Sequence, residues 1–387
     1  MAAIAFLIAT ASVSAPPVAT ARVDFDTQRI DKGAVTGIAD RTKPRAVTAD
    51  DPVRVASVSK LVVALGVMRL VEAGKLDLDR DVSAYLGWSL RHPGFPEAPV
   101  TLRMLLSHTS SLRDDADYAI SLGDTVRARL GDPRAWDAEH RPGFWFRYAN
   151  LNFPVVASIM EAATGERFDR LMARLVFVPL KVDACYNWTT CSDAKVARKV
   201  VLYDFNGTVR TDGFATLRPD CPVRLSAERA PCDLSAYVPG SNGALFSPQG
   251  GLRISARDLA RIGQVFLPGG AGFLTPASLA AISTPHWVFD GGNGETEGGF
   301  YCSYGLAMQT LATPNVPDCH DDPFGDGVRR IGHAGEAYGL RSGLWIDMKR
   351  RKGVAFFATG IADAAPKGVS AFTAIEEELA KGAKKGK

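Results

Sequence analysis

The sequence predicts an α/β fold of the α+β type, in which helices flank an antiparallel sheet and a mostly helical lobe is inserted into the chain. A long apolar helix pattern follows Ser57, helical periodicity and polar loops fill 76–247, and short β-rich runs return late in the chain. We therefore assign 22–75 and 248–387 to a sheet domain and 76–247 to the helical lobe.

The N-terminus has the outline of a secretory signal peptide over 1–21. This stretch is almost free of charge and ends in Ala19-Thr20-Ala21, an A-x-A cleavage pattern, although it lacks a basic n-region. Its apolar run is too short to span a bilayer, and no later segment approaches the required length. We therefore expect a periplasmic or secreted protein without a membrane span.

The composition is that of an ordinary globular protein. Hydrophobic residues make up 46% and charged residues 22% of the 387 residues, and the net charge of +3 is small for this length. Such a charge gives no electrostatic reason to bind nucleic acid or an anionic membrane surface. Neither is expected as a partner, and the composition does not indicate an oligomeric state.

Six cysteines support export. They fall into three successive local pairs, Cys185 with Cys191, Cys221 with Cys232, and Cys302 with Cys319. The sequence does not choose among the many possible connectivities, and the alternative is six reduced thiols in a cytosolic enzyme. Because no CxxC motif occurs, we expect no zinc site.

Hydrophobic periodicity predicts the remaining elements. Helices are expected over 101–106, 124–130, 151–164 and 369–381, and short strands over 304–311, 329–333, 341–348 and 353–359. A charged turn over 349–352 joins the last two strands, which is typical of an antiparallel pair.

Ser57 and Lys60 stand three residues apart at the start of the long apolar helix, and hence on one helical face. Since this helix is apolar on nearly all sides, Lys60 is either paired or lowered in pKa, and either state serves proton transfer to an adjacent hydroxyl. Backbone N–H groups at the helix N-terminus are also free to hold an oxyanion. The alternative is that Ser57 caps the helix while Lys60 reaches the surface. Ser59 is a rival nucleophile, but it has Val62 three residues on.

Two further motifs, YAN at 148–150 and HAG at 333–335, follow in the chain. SxxK, YxN and K/H-x-G in this order resemble the signature of the penicillin-recognising serine hydrolases, which include class C β-lactamases, penicillin-binding D-alanyl-D-alanine carboxypeptidases, peptidases and family VIII esterases. The segment LLSHTSSL at 105–112 resembles the LLxHTSGL segment of the class C-type branch, with Ser111 where glycine is usual. The resemblance covers most of the chain and implies a β-lactamase/transpeptidase-like fold.

The resemblance also implies roles for the first motifs. Ser57 would be the nucleophile that forms an acyl-enzyme, with Lys60 as its base. Tyr148 would be a second proton carrier, and Asn150 would present its amide to Lys60 and to the acyl side of the substrate. Because the pair of Lys60 and Tyr148 must lose a proton, activity is expected to rise toward mildly alkaline pH. The alternatives are a core tyrosine and a local helix N-cap at Asn150.

His333, Gly335 and Glu336 would lie on the strand that edges the cleft. By the same resemblance, the backbone N–H of Glu336 joins that of Ser57 in an oxyanion hole, and Gly335 leaves the strand edge bare for the substrate. His333 would contact the substrate, at a place where class C β-lactamases carry lysine and several peptidases carry histidine. The alternative is a buried strand histidine.

One departure from the family pattern concerns the N-terminal strands. The class C-type branch starts its sheet with a strand pair before the SxxK helix, whereas here 37–39 runs directly into a polar stretch that begins at Asp40. We therefore expect the first hairpin to be missing, which bears on stability more than on the site.

Together the motifs predict a serine hydrolase without cofactor or metal that acts on a small peptide or ester. The favoured substrate is an amide bond in a D-alanyl peptide or in a linear peptide with unusual residues, such as linearised microcystin. The first alternative is a carboxylesterase of the family VIII type, because ester and amide acylation need the same groups. The second is a non-catalytic penicillin-binding-like module with a decayed site.

Overall fold

The computed structural model describes residues 17–227, 230–268 and 272–382. Its strands in these ranges are β1 (Ala19–Asp26), β2 (Ala34–Gly37), β3 (Val53–Arg54), β4 (Arg91–His92), β5 (Phe95–Pro99), β6 (Cys185–Tyr186), β7 (Leu202–Tyr203), β8 (Val209–Thr211), β9 (Leu252–Ile254), β10 (Trp287–Val288), β11 (Ser303–Tyr304), β12 (Gln309–Leu311), β13 (Arg330–Ala337), β14 (Leu340–Asp347) and β15 (Lys352–Thr359). Its α-helices are α1 (Val58–Glu72), α2 (Ser83–Leu86), α3 (Leu102–Leu106), α4 (Val126–Leu130), α5 (Asn152–Thr164), α6 (Phe168–Met172), α7 (Asp193–Val196), α8 (Ala256–Gln264), α9 (Pro276–Ser283) and α10 (Ala374–Lys381). A 3-10 turn covers Pro133–Ala135, and a π-helical segment covers Ala173–Phe177.

An eight-stranded antiparallel sheet has the order β10-β11-β12-β13-β14-β15-β1-β2. The long strands β13, β14 and β15 follow one another as hairpins, and β1 from the N-terminus pairs with β15 along its whole length. The predicted fold class, an antiparallel sheet flanked by helices, is confirmed. The division of the chain into a sheet domain and a separate lobe over 76–247 stays a prediction.

Side chains of the sheet alternate between two hydrophobic cores. On β14, Leu344 and Ile346 belong to the main core, which α1 and α8 cover, whereas Trp345 belongs to a second core beneath α10. Successive side chains of a strand point to opposite faces, so each face of the sheet has its own core. α1 is buried along most of its length in the main core, so packing positions its first residues, which include Lys60.

Most of the predicted elements are present. The helices predicted over 101–106, 124–130 and 151–164 are confirmed as α3, α4 and α5, with small changes at their ends. The last helix is shorter than predicted because Thr373 caps it and forms a capping box with Glu376. The strands predicted over 341–348 and 353–359 form as β14 and β15, which the charged turn before Lys352 joins. The strand predicted over 329–333 forms as the longer β13, whereas the single strand predicted over 304–311 is wrong, because a turn divides that stretch into the antiparallel strands β11 and β12.

The first hairpin is present, so the expectation that it is missing is wrong. β1 and β2 pair antiparallel from Ala19 opposite Gly37 to Arg22 opposite Ala34. The stretch Ala19-Thr20-Ala21, interpreted in the sequence as a cleavage pattern, is the start of strand β1. Both of its alanines are fully buried. Cleavage after Ala21 would remove this part of the strand. Residues 1–16 of the predicted signal peptide lie outside the described residues, and the export signal stays a prediction.

The cysteines form three disulfides, which are the three local pairs seen in the sequence: Cys185–Cys191, Cys221–Cys232 and Cys302–Cys319. In the part of the chain that the structure describes, no helix combines the length and apolar character needed to cross a bilayer.

Candidate active site

Ser57 lies at the N-cap of α1, directly after a tight turn from β3. Ala56 in this turn has a φ of 44°, a left-handed conformation that costs a non-glycine residue roughly 1–2 kcal/mol. The Ser57 side chain makes no capping hydrogen bond and lines a cavity of about 910 Å³. Its hydroxyl is therefore available for chemistry, and the alternative that it caps the helix is wrong.

Lys60 is fully buried, and its ammonium group has three hydrogen-bond acceptors. Nζ donates to Ser57 Oγ at 3.0 Å, to Asn150 Oδ1 at 2.7 Å and to the Gln249 carbonyl at 3.0 Å. Burial lowers the pKa of Lys60 to about 7, although Asp114 and Glu297 oppose the decrease. The neutral amine keeps two N–H groups for Asn150 and Gln249, and its lone pair can accept the proton of Ser57.

Asn150 is oriented by Asp114, a residue that the sequence motifs do not include. The Asp114 carboxylate accepts hydrogen bonds from the backbone N–H and Nδ2 of Asn150, both at 2.9 Å, and from the backbone N–H of Leu151 at 2.9 Å. Because Asp114 takes the amide nitrogen, the amide oxygen of Asn150 faces Lys60. Asp114 also binds two backbone N–H groups where α5 begins, so the Asn150 side chain does not act there as a helix cap.

Tyr148 packs beside Lys60 and between two other rings. Its ring stacks on His108 at 4.4 Å and on Tyr301 at 4.7 Å between centroids, and Lys60 Nζ lies 4.7 Å from its centroid. The Tyr148 hydroxyl is buried and has no hydrogen bond of standard geometry among the described residues. Burial raises the pKa of Tyr148, and the nearby Ser57 hydroxyl offsets only part of the rise. Tyr148 is therefore a phenol at neutral pH and can donate a proton, but it is not a resting phenolate base.

The segment 105–112 contacts Tyr148 and its neighbour Ala149 through His108. His108 Nδ1 accepts a hydrogen bond from the backbone N–H of Ala149 at 3.1 Å, and burial holds the pKa of His108 well below its usual value. Ser111 has a φ of 64°, which explains why the family prefers glycine at this place. Its hydroxyl donates to the His140 carbonyl at 2.6 Å, a bond that glycine could not make.

His333 is not among the residues that line the cavity, and its predicted contact with the substrate stays a prediction. It lies on β13 and is 1% exposed, which agrees with the alternative of a buried strand histidine. Nδ1 donates to the Ala334 carbonyl at 2.5 Å, and Nε2 therefore accepts from the Tyr304 hydroxyl at 2.7 Å. Burial and the charge on Lys60 lower the pKa of His333 to about 3, so the ring is neutral.

Gly335 and Glu336 line the cavity beside Ser57. A Cβ atom on Gly335 would lie 2.4 Å from the Val55 carbonyl, 2.4 Å from Ser342 Oγ and 3.2 Å from the backbone nitrogen of Ser57. Only glycine therefore lets β13 approach the nucleophile this closely. The Glu336 carboxylate pairs with Arg341 at 2.8 Å. The prediction that the backbone N–H of Glu336 contributes to an oxyanion hole stays a prediction.

Glu297 is a further acidic group at the cavity wall. The residue as a whole is exposed, but desolvation of its carboxyl group, together with the nearby charges of Glu295 and Glu336, raises the pKa of Glu297 to about 7. In the sequence it belongs to a glycine-rich polar stretch that predicts a loop, and no pattern there marks a site. The preceding residue, Thr296, is fixed to the site through its carbonyl, which accepts a hydrogen bond from the backbone N–H of Tyr301 at 2.9 Å.

A metal site has no support among the described residues. The one group of potential ligands there consists of Cys302, Cys319 and Asp321. Both cysteines are joined in a disulfide, and a metal needs the free thiolates.

The chain matches the family model described as Beta-lactamase over residues 15–373. "Penicillin-binding protein 4" of Amycolatopsis lactamdurans is 27% identical over 259 residues, which are 64% of this chain and 60% of that protein. "Esterase EstB" of Burkholderia gladioli is 33% identical over 167 residues, which are 38% of this chain and 42% of that protein. The chain thus spans 60% or less of the length of these two curated relatives.

Solved structures show the same fold. The octameric penicillin-binding protein homologue from Pyrococcus abyssi has a TM-score of 0.67 at 19% identity, over 94% of this chain and 72% of that one. D-amino acid amidase from Ochrobactrum anthropi SV3 has a TM-score of 0.66 at 18% identity, over 94% of this chain and 92% of that one. These likenesses concern the fold, whereas the family model spans the sheet, the serine and lysine of the first motif and all the other site residues. The chain belongs to the Beta-lactamase family of serine hydrolases.

Proposed function

We propose that the protein is an exported serine hydrolase that forms an acyl-enzyme on Ser57 and transfers the acyl group to water. The observation that carries this proposal is the contact of the buried Lys60 with Ser57, Asn150 and the Gln249 carbonyl. A serine hydroxyl is a weak nucleophile until a neighbouring base takes its proton, and a lysine with a pKa of about 7 can do so near neutral pH.

In the first step, Lys60 takes the proton of Ser57 while Oγ attacks the carbonyl carbon of the substrate. The electron pair of the carbonyl bond moves to its oxygen, which the backbone N–H groups of Ser57 and Glu336 stabilise. When the intermediate collapses, the bond to the leaving group breaks, and Tyr148 gives that group a proton and regains one from Lys60. Water then attacks the acyl carbon as the second nucleophile, and Lys60 takes its proton. The bond between the acyl carbon and Ser57 Oγ breaks, and Oγ regains a proton from Lys60, which releases the product acid and restores the enzyme.

The proposed substrate is a small peptide or amide, either a D-alanyl peptide or a linear peptide with unusual residues of the linearised microcystin type. A cavity of about 910 Å³ is large enough for a peptide of several residues. A carboxylesterase is the second candidate, because the relative "Esterase EstB" is 33% identical over the part that aligns. A non-catalytic module is disfavoured, since nucleophile and base are both present and in contact.

Export rests on the three disulfides together with the signal-like N-terminus. Disulfides persist in the periplasm and outside the cell but are rare in a reducing cytosol. A periplasmic or secreted enzyme would meet cell-wall peptides or peptides of the surroundings, which agrees with the proposed substrates.

Covalent labelling tests the proposed function. A fluorescent fluorophosphonate should label the protein once, and mass spectrometry of the digested product should place the label on Ser57. A folded protein that takes no label and hydrolyses neither activated esters nor anilides would leave the non-catalytic module as the better proposal.

A further inference from the structure

One wall of the cavity carries arginines that the proposed chemical steps do not use. The residues of this wall are Arg54, Tyr118, Arg210, Arg224 and Tyr338. Two of the arginines have carboxylate partners, since Arg210 pairs with Asp204 at 3.3 Å and Arg224 pairs with Asp117 at 3.4 Å. The third arginine, Arg54, belongs to β3 and lies three residues before Ser57.

Arg54 makes no ion pair within the described part of the chain. Its Nη1 donates to the Gly250 carbonyl at 3.1 Å, and its Nε is buried without any acceptor. The guanidinium carbon lies 4.9 Å from the ring centroid of Tyr338, so the ring covers one face and fixes the plane of the group. Arginine binds carboxylates through two N–H groups on one edge of this plane, and Arg54 keeps such donors unused.

The carboxylate of Asp212 stabilises the charge of Arg54 without contacting it, but this carboxylate already has other partners. Asp212 is buried, pairs with the buried Arg253 at 2.8 Å and accepts a hydrogen bond from Trp188 at 2.7 Å. Two arginines therefore share one aspartate, and among the residues that the structure describes no carboxylate pairs directly with Arg54. Burial and Arg253 lower the pKa of Arg54 to about 10, which leaves it charged at neutral pH. Such a charge is costly in a partly buried wall, and a bound anion would offset the cost.

The position of this wall indicates which part of the substrate it meets. Tyr118 follows closely on Asp114, which holds Asn150, the residue expected on the acyl side of the substrate. Tyr338 lies in the turn after β13, just beyond Glu336 and Ala337, which also line the cavity. We propose that Arg54 binds a carboxylate on the acyl part of the substrate, so that acidic peptides or acidic esters are preferred. This inference rests on the proposed function and names its substrate class.

The test uses p-nitrophenyl monoesters of linear dicarboxylic acids, namely adipate and suberate, and the same esters with the free acid converted to a primary amide. Acid and amide have nearly the same size, so the ratio of their kcat/KM values isolates the charge. In the wild type this ratio should be ~10 or more for at least one chain length, because a hydrogen bond between two charged groups is stronger than one to a neutral amide. Arg54→Gln should bring the ratio close to unity, and Arg54→Lys should retain part of it.

The matched control is Arg29→Gln, which removes one positive charge from a side chain that is 82% exposed and does not line the cavity. It should leave the ratio unchanged. A ratio near unity in the wild type, or an unchanged ratio in Arg54→Gln, overturns the inference while ester hydrolysis continues. Absence of Ser57-dependent hydrolysis of every ester overturns the proposed function instead.

A measurement on the wild type covers the case in which Arg54→Gln does not fold. Free suberate should inhibit hydrolysis of the amide ester competitively, and suberamide should inhibit it ~10-fold less strongly, for the same reason as above. Equal inhibition by the diacid and the diamide would contradict a carboxylate site at Arg54.

Discussion

Lys60 donates a hydrogen bond of 3.0 Å to the hydroxyl of Ser57, and the two residues belong to the first turn of a helix whose body is buried. The helix sets this spacing, and burial makes the neutral form of the amine accessible near pH 7. The nearby Ser59 has a different environment. Its hydroxyl donates to the Ala56 carbonyl at 2.6 Å and accepts from the backbone N–H of Leu252 at 3.1 Å.

Ser57→Ala should therefore abolish both turnover and fluorophosphonate labelling, because Ser57 carries the one hydroxyl among the described residues to which Lys60 donates a hydrogen bond. Ser59→Ala is the matched control and should keep its label and its activity. It should lose about 1–3 kcal/mol of unfolding free energy, since the buried N–H of Leu252 would lack an acceptor. Labelling that persists in Ser57→Ala would assign the nucleophile elsewhere.

The acylation rate should rise with pH through about 7 and then level off, because the pKa of Lys60 lies near that value and only the neutral amine can accept a proton. Lys60→Ala should lower the acylation rate ~10²-fold or more at every pH. Single-turnover kinetics with an activated ester measure this step directly.

The pKa of Glu297 is also about 7, so titration of this carboxyl group would change the rate in the same pH range as titration of Lys60. In Glu297→Gln the rise should persist and move to lower pH, since removing this carboxylate removes a charge that raises the pKa of Lys60. Loss of the rise in Glu297→Gln would show that Glu297, and not Lys60, is the titrating group.

Asp114→Asn should lower kcat ~10-fold, because an asparagine cannot accept all three N–H bonds that now orient Asn150 and the start of α5. The same change removes a negative charge that raises the pKa of Lys60, so the acid limb of the pH profile should shift to lower pH. Asp115→Asn is the neighbouring control, since Asp115 is 57% exposed and pairs with Arg113. A lower kcat with an unmoved profile would indicate a merely structural role for Asp114.

A contact of this site can be predicted from the sequence when its two residues lie close together in the chain, and less readily when many positions separate them. Ser57 and Lys60 were predictable because a helix brings residues three apart together. Asp114 was not, since its contact with Asn150 joins positions 36 residues apart through a loop, and Arg113-Asp114-Asp115 is an ordinary polar run. For His333 the strand was predicted correctly, but the partner of its side chain, Tyr304, belongs to another strand.

The elements of the fold were likewise predicted correctly where neighbouring positions determine them and missed where the partner is remote in the chain. The late hairpins follow from local alternation and from the charged turn between the last two strands. β1 was missed because a short apolar strand and the end of a signal peptide share their composition, and because its partner is remote. Ala19 pairs with Thr359, and the backbone N–H of Ala19 bonds to the Thr359 hydroxyl across 340 positions.

Thiol titration of the denatured, unreduced protein should find no free thiol, because the cysteines form three disulfides. Replacing the pair Cys221 and Cys232 by serine should lower the melting temperature, because these cysteines are 11 positions apart and closing a loop of that size contributes roughly 3 kcal/mol in the chain-entropy model. Replacing Cys302 and Cys319 should lower activity as well, because Cys302 adjoins Tyr301, which stacks on Tyr148. Equal activities of the two double variants would contradict this coupling, and six titratable thiols would remove the support for export.

The protein should hydrolyse peptides or simple esters and turn over β-lactams poorly. β-Lactamases of the class C type carry lysine where this chain has His333, and the resemblance assigns that lysine to the carboxylate of the drug. His333 cannot replace it, because it is neutral, bonded to Tyr304 and absent from the cavity wall. Matched p-nitrophenyl esters and peptide p-nitroanilides then separate esterase from peptidase.

Because peptidases also cleave activated esters, the rate of anilide hydrolysis distinguishes the two activities, and Ser57→Ala measures the background rate. Rapid nitrocefin turnover without detectable anilide cleavage would overturn the peptidase proposal and indicate a β-lactamase.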